Sequence, residues 1–322
     1  MKARTPLLVA LALGMAVGLS AQTVDFILLQ WQRDLRQTSD NVGGLINANS
    51  APYRFMASVE GPTDTSMAAD TFSTATLIKT DGTTNLGFTF DAEDGAWRFE
   101  AAPYATDIAL SADFPTSGTY PYKIQLDGSG PINSLTLPQT VTFPVVPDPS
   151  TANLNAPFMT LTNGTWQANG TYLVTDLDAA ITISFNTVYE TTPDPTDSFH
   201  YDIWMEGPNA VSLTGGATEG FINYDPTTNN TPAAASVIPN LTIAAGALID
   251  GYTYQLEVGY DEILASTAGV LGDGSFAAAV VGARTTIVIV TPMAAVPEPS
   301  TYAVLAGLVI LGMTLYFRRR TA

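Results

Sequence analysis

The chain contains no cysteine. That excludes a disulfide-stapled miniature, a thiolate nucleophile and any cysteine metal site, so its domains must hold together by burying apolar surface. Histidine is nearly as scarce, with His200 the single one in 322 residues. A Ser-His-Asp triad would have to be built on it, yet no serine lies in a Gly-x-Ser-x-Gly elbow, and Asp127-Gly128-Ser129-Gly130-Pro131 reads as a turn. His200 is therefore expected to be an ordinary strand-edge histidine, no catalytic residue is assigned, and a His-rich or Cys-rich zinc cluster cannot be assembled.

Positive charge is also sparse: 12 Lys and Arg stand against 30 Asp and Glu, for a net charge of -18. Five of those cations, Lys2, Arg4, Arg318, Arg319 and Arg320, lie in the termini, and no Lys or Arg occurs between Lys123 and Arg284. An acidic body of this kind repels nucleic acid phosphates and anionic lipid, which argues against both as its partners. Solubility in a salty exterior is the plain reading of the charge.

Long apolar runs are confined to the two ends. The start, MKARTPLLVALALGMAVGLSAQ, has cationic Lys2 and Arg4, an uncharged core from Leu7 to Leu19, and small residues at Gly18, Ser20 and Ala21. This pattern predicts a secretory signal peptide over residues 1–21, cleaved after Ser20 or Ala21. At the other end, Ser300 to Phe317 carries no charge. As a helix it would span roughly 27 Å, enough for a bilayer core. Tyr302 marks one interface and Tyr316 and Phe317 the other, and Arg318, Arg319 and Arg320 hold that end in the cytoplasm. Both ends predict one topology, with the body outside.

A plain anchor needs nothing more, but Val296, Pro297, Glu298, Pro299 and Ser300 stand immediately outside the apolar run. The prolines keep this stalk extended, as a processing enzyme's cleft requires. VPEPS, a short apolar helix with Gly307 and Gly312, and a terminal RRR together resemble the PEP-CTERM sorting signal of Gram-negative bacteria. The resemblance covers about the last 27 residues. It implies an exosortase, a membrane-embedded cysteine transpeptidase-like enzyme, as partner, and an association with exopolysaccharide production. It also implies that Pro297, Glu298 and Pro299 are recognition residues and Arg318 to Arg320 a retention cluster. The implied location is an inner-membrane anchored precursor that passes to the cell envelope or extracellular matrix. For the rest of the chain it implies no activity.

Between the ends, Thr, Val, Ile, Tyr and Phe recur in short runs separated by Gly, Asp, Asn and Pro. Such composition predicts an all-β body. Alternation is clear in TATLIKT (74–80), LGFTF (86–90), WRFEA (97–101), AITISF (180–185) and YTYQLEV (252–258), and Asp81-Gly82 and Asp94-Gly95 fall between such runs as hairpin turns. Val24 to Gln37 fits helical spacing and strand alternation alike, with a strand favoured. Two pieces recur in the same order, a tyrosine-led strand ending in Glu-Gly-Pro (Tyr53 to Pro62, Tyr201 to Pro208) and a Tyr-x-Tyr strand (Tyr120 to Leu126, Tyr252 to Val258). They predict two related β-sandwich domains of immunoglobulin or fibronectin type, 22–147 and 148–293, followed by the sorting segment 294–322. The boundary is set in the Pro-rich Phe143 to Pro157. Leu241 to Val258 resembles the corner between strands E and F of those sandwiches, where Tyr252 or Tyr254 would tie its hydroxyl to upstream backbone.

Candidate chemistry in the body is thin. Asp91, Glu93 and Asp94 cluster before Gly95, and Asp176 and Asp178 share one side of an extended chain, so calcium is the ion to consider. Neither run has the ligand spacing of an EF-hand, and solvated turns explain both. Trp97, Trp166 and Trp204 could stack on sugar rings, although tryptophans of sandwiches more often anchor cores. The expectation is a non-enzymatic surface or matrix protein without a cofactor. A secreted glycan-binding module or carbohydrate-active enzyme with the same tail stands as the alternative.

Overall fold

The computed structural model describes residues 23–62, 67–115, 118–144, 156–186, 198–223, 238–272 and 274–293. The expected signal peptide, most of the Pro-rich boundary, and the whole sorting segment with its motif, apolar run and arginines lie outside the described residues. Among the described residues no helix is long and apolar enough to cross a membrane. The body is all-β: the one α-helix among them, Asp107–Asp113, has seven residues and is capped by the Thr106 hydroxyl.

One eleven-stranded sheet runs through the body. Its main path is Glu219–Asn223, Ser198–Glu206, Thr253–Ala268, Phe276–Val290, Phe26–Gln37, Tyr53–Glu60, Ala96–Glu100 and Thr89–Asp91. The axis is the hairpin of Thr253–Ala268 with Phe276–Val290, paired from Thr253↔Val290 to Ala268↔Phe276. At ~3.3 Å per residue these strands are roughly 50 Å long. Phe276–Val290 also pairs in parallel with Phe26–Gln37, from Phe26↔Phe276 to Arg36↔Thr286. The segment with two competing periodicities is thus a strand, and its two faces are both covered, which is why it lacks clean alternation.

Two four-stranded sheets lie against this large sheet, each closing a core. Gln139–Thr142, Lys123–Asp127, Thr74–Ile78 and Asn85–Gly87 form one. Their Leu77, Ile124, Leu126 and Val141 meet Leu29, Trp31, Phe55 and Val59 of the large sheet. Phe55 is the hub, stacked on Phe114 at 4.1 Å and within 6.0 Å of Tyr122 and 5.1 Å of Trp31. The second small sheet, Met159–Leu161, Ile181–Phe185, Leu241–Ile243 and Leu213–Thr214, sets Met159, Ile183 and Leu241 against Phe199, Tyr201, Tyr254, Leu256, Tyr260 and Ile287. Each such side chain contributes about 1.5–3 kcal/mol when removed from water. The first core also takes Leu271, Ala277 and Ala279 from the far end of the long hairpin, so the large sheet is common to both cores.

Local features follow the sequence closely. Gly82 and Gly95 adopt φ of 74° and 58° at the turns where Asp-Gly pairs predict them. LGFTF does not form one strand: Asn85–Gly87 pairs in the small sheet, Thr89–Asp91 in the large one, and the Phe88 N–H donates to Ala75 O at 2.8 Å between them. The Tyr-x-Tyr repeat needs correction as well. Lys123–Asp127 belongs to a small sheet and Thr253–Ala268 to the large one, so the shared pattern records alternation rather than equivalent positions. Tyr254, fully buried, holds the corner post: its hydroxyl accepts from the Ile249 N–H at 2.8 Å and donates to Asn209 Oδ1 at 2.6 Å. Tyr252 is 49% exposed and takes no such role.

Candidate functional site

Alternation dictates what the second face of the large sheet carries. Along Thr253–Ala268, Tyr254, Leu256, Val258 and Tyr260 fill the core, leaving Glu257, Gly259 and Asp261 on the opposite side. Along Ser198–Glu206, Phe199, Tyr201 and Ile203 point inward, leaving His200, Asp202 and Trp204. Register then lines these residues up in rows. His200 stands opposite Asp261, and Asp261 opposite Gly282. One step along, Glu219, Asp202, Gly259, Arg284 and Asp34 face one another across five strands.

The two glycines in these rows give the acids their place. A Cβ on Gly259 would lie 2.1 Å from Asp202 Oδ1, and one on Gly282 the same 2.1 Å from Asp261 Oδ1. Each carboxylate therefore lies flat over the bare backbone of the next strand, and mid-strand glycine, otherwise unfavourable, is required there.

This polar face is shielded from water. His200 and Asp261 are 1% exposed, Arg284 4% and Asp202 6%. His200 Nε2 lies 3.2 Å from Glu219 Oε1, and its Nδ1 lies 3.8 Å from Asp261 Oδ2. Gln30 Nε2 donates to Asp261 Oδ1 at 3.0 Å. Arg284 reaches Asp202 Oδ2 at 3.7 Å and Glu257 Oε1 at 3.5 Å, with its guanidinium 4.8 Å above the Trp204 ring. Among the described residues neither oxygen of Asp202 has a hydrogen-bond partner.

The charges respond to this setting. Burial disfavours the His200 imidazolium, but the Asp261 and Glu219 carboxylates beside it, with Asp202 behind, outweigh burial and raise its pKa to about 9. Burial pushes Asp202 upward, and Arg284 opposes that without cancelling it. Glu257 is pushed by burial to about 6, again against Arg284. Arg284 stays charged because Asp202, Asp261, Glu257 and Asp34 overcome its own desolvation. The cluster also takes in the Thr286 hydroxyl, which donates to Glu257 Oε2 at 3.4 Å. What it offers is one imidazole and two carboxylates, His200, Asp202 and Asp261, with ligand atoms within 4.8 Å of one another.

Of the residues singled out in the sequence, His200 and Trp204 belong to this cluster and the others sit elsewhere. Asp91, Glu93 and Asp94 come together in a surface turn where Asp91 Oδ1 accepts from the Glu93 N–H at 2.9 Å. Arg98 closes it, paired with Asp91 at 3.5 Å and with Asp94 more tightly. Asp176 and Asp178 form an exposed turn of the same kind. Trp97 is in the first core, edge-on to Phe72 at 5.8 Å. Trp166 packs edge-on to Tyr172 at 5.4 Å with its Nε1 bonded to Asp40. His200 is not at a strand edge: Ser198–Glu206 is flanked on both sides, by Glu219–Asn223 and Thr253–Ala268. A signal for the cluster did exist in the Tyr-Asp pairs of HYD (200–202) and GYD (259–261), each placing an acid next to a core tyrosine.

Comparison with known proteins adds one firm finding. The model of the PEP-CTERM protein-sorting motif matches residues 295–320, so the tail is a PEP-CTERM sorting signal. Such a motif implies an exported, membrane-anchored precursor that an exosortase processes and that is sorted to the cell surface. No curated protein matches the chain. Among solved structures it is similar to the BSP domain of a biofilm associated protein, at 10% identity and a TM-score of 0.20, covering 87% of this chain and 61% of that one. It is also similar to the T6 backbone pilin of serotype M6 Streptococcus pyogenes, at 9% identity and a TM-score of 0.19, covering 83% of this chain and 64% of the pilin. The chain thus spans less than two thirds of either structure.

Proposed function

We propose that this protein is a non-enzymatic component of the cell surface or extracellular matrix of a Gram-negative bacterium, associated with exopolysaccharide. A signal peptide over residues 1–21 exports it. The apolar helix from Ser300 to Phe317 holds the precursor in the inner membrane, with Arg318, Arg319 and Arg320 on the cytoplasmic side. An exosortase then recognises Pro297, Glu298 and Pro299 and cuts near Ser300. The exposed body acts as two immunoglobulin-like sandwich units built on a common sheet, and works through its surface rather than by catalysis.

The sorting motif at residues 295–320 is the observation that carries this reading. The acidic charge of the body supports it too, since a surface short of cations stays dissolved among anionic polymers and does not collapse onto lipid. The test is mass spectrometry of the mature termini, in cells with and without an exosortase. Loss of the Tyr302 to Ala322 peptide only where the enzyme is present is the expected result. An intact tail in both strains would make the protein a plain single-pass membrane protein and remove the matrix role. Glycan turnover by the purified protein would overturn the non-enzymatic reading.

A further inference from the structure

We propose that His200, Asp202 and Asp261 bind one divalent transition-metal ion of the zinc class inside the large sheet. The site is independent of the sorting reading, because it rests on the body alone.

The donor set comes first. Two carboxylates and one imidazole within 4.8 Å of one another make a mixed nitrogen and oxygen site with three protein ligands. Zinc takes such sets readily, with a fourth position left for water, whereas calcium wants six to eight oxygens. A tetrahedral zinc site brings ligand atoms to about 3.4 Å of one another, so the ligands must close by at most about 1.4 Å. Asp202 can swing, since it lies over a glycine and its oxygens make no hydrogen bond among the described residues.

The second observation is Asp202 itself. It is 6% exposed, and both its oxygens lack a hydrogen-bond partner among the described residues. The guanidinium of Arg284, at 3.7 Å, is an ion-pair neighbour beyond hydrogen-bond reach. A buried carboxylate left so poorly satisfied is costly, and a cation between it and Asp261 removes the cost. Arg284 can yield, because Glu257 holds it from the other side at 3.5 Å.

The surroundings match what a metal site needs beyond its ligands. Glu219 sits 3.2 Å from His200 Nε2, as an orienting carboxylate does when the other ring nitrogen is the ligand. That other nitrogen, Nδ1, faces Asp261, and the ion takes the place of its proton, which leaves to solvent. Gln30 fixes Asp261 through its Nε2 at 3.0 Å. An ion here would tie Ser198–Glu206 to Thr253–Ala268 and brace the middle of the long hairpin.

The test uses the full chain purified in detergent, stripped with a chelator and dialysed against Zn²⁺ or Co²⁺. Elemental analysis is expected to find one zinc per chain, and Co²⁺ to give the visible absorption of a low-coordinate site with an imidazole ligand. Asp202→Asn and Asp261→Asn should each weaken zinc binding about tenfold or more, while Asp91→Asn leaves it unchanged. Circular dichroism of the stripped variants checks that they fold, and the Co²⁺ spectrum of the unaltered chain decides the matter if they do not. Zinc uptake equal in Asp202→Asn, uptake abolished by Asp91→Asn, binding of Ca²⁺ alone, or no uptake of Zn²⁺ or Co²⁺ by the unaltered chain would each overturn the site.

Discussion

The two halves of the large sheet neutralise their acids in different ways. In the first half two partly exposed guanidinium groups share the carboxylates: Arg54 meets Asp34 at 2.8 Å and Glu100 at 3.3 Å, and Arg98 closes the Asp91 and Asp94 turn and reaches Glu60 at 3.8 Å. In the second half, Arg284 is the only Lys or Arg after Lys123 and before the tail. It must serve Asp202 and Glu257 together, leaving His200 to stand between Asp261 and Glu219. Solvent screens the exposed members of the first set, Glu100 and Asp91, so their pairs are individually worth little. The second set is buried, where an unbalanced charge is expensive.

Removing the cation of the second half should therefore have the largest effect. Arg284→Met leaves Asp202 and Glu257 buried without their guanidinium and should cost about 3–5 kcal/mol, read from urea denaturation. A cost below about 1 kcal/mol would mean that the second half is as well screened as the first.

Acid should act on the same group of charges. The Glu257 pKa is raised by burial to about 6, so its contribution favours the folded state below its ordinary value and is lost as pH rises through 6. Asp202 is raised likewise and works in the same direction. Stability measured under chelation should fall by about 2 kcal/mol through Glu257 as pH rises from below 4.5 to above 6, and Glu257→Gln should remove that part of the slope. An unchanged slope in the variant would place the titration elsewhere.

Gly259→Ala comes next, since its Cβ would meet Asp202 Oδ1 at 2.1 Å. The expected loss is about 1–3 kcal/mol, shrinking when Asp202→Ala is added, as a double-mutant cycle would show. Additive losses would mean that the glycine serves the backbone rather than the acid. Glu100→Gln, which removes the exposed partner of Arg54 in the first half, should cost only about 0.2–1 kcal/mol and become harmless at high salt.

Much of the body was legible before the fold. Alternation in TATLIKT, WRFEA and AITISF names strands that exist at Thr74–Ile78, Ala96–Glu100 and Ile181–Phe185. Asp81-Gly82 and Asp94-Gly95 name their turns, because positive φ is a local demand that glycine meets. The candidate site was hidden by the same alternation. His200, Asp202 and Asp261 occupy the positions that a one-sided sheet would turn to water, and a sequence read strand by strand gives no sign that this face is covered.

The sequence by itself determined the sorting tail, the acidity, the absence of thiol chemistry and the all-β character, since each depends on composition or on neighbours within a few residues. Only the tertiary structure decided that Phe26–Gln37 runs parallel to Phe276–Val290, and that Asp261 lies across from His200 with Gly282 beneath it. Strand partners separated by some 250 residues in the chain are selected by packing and register over the whole sheet, and no local pattern encodes that choice.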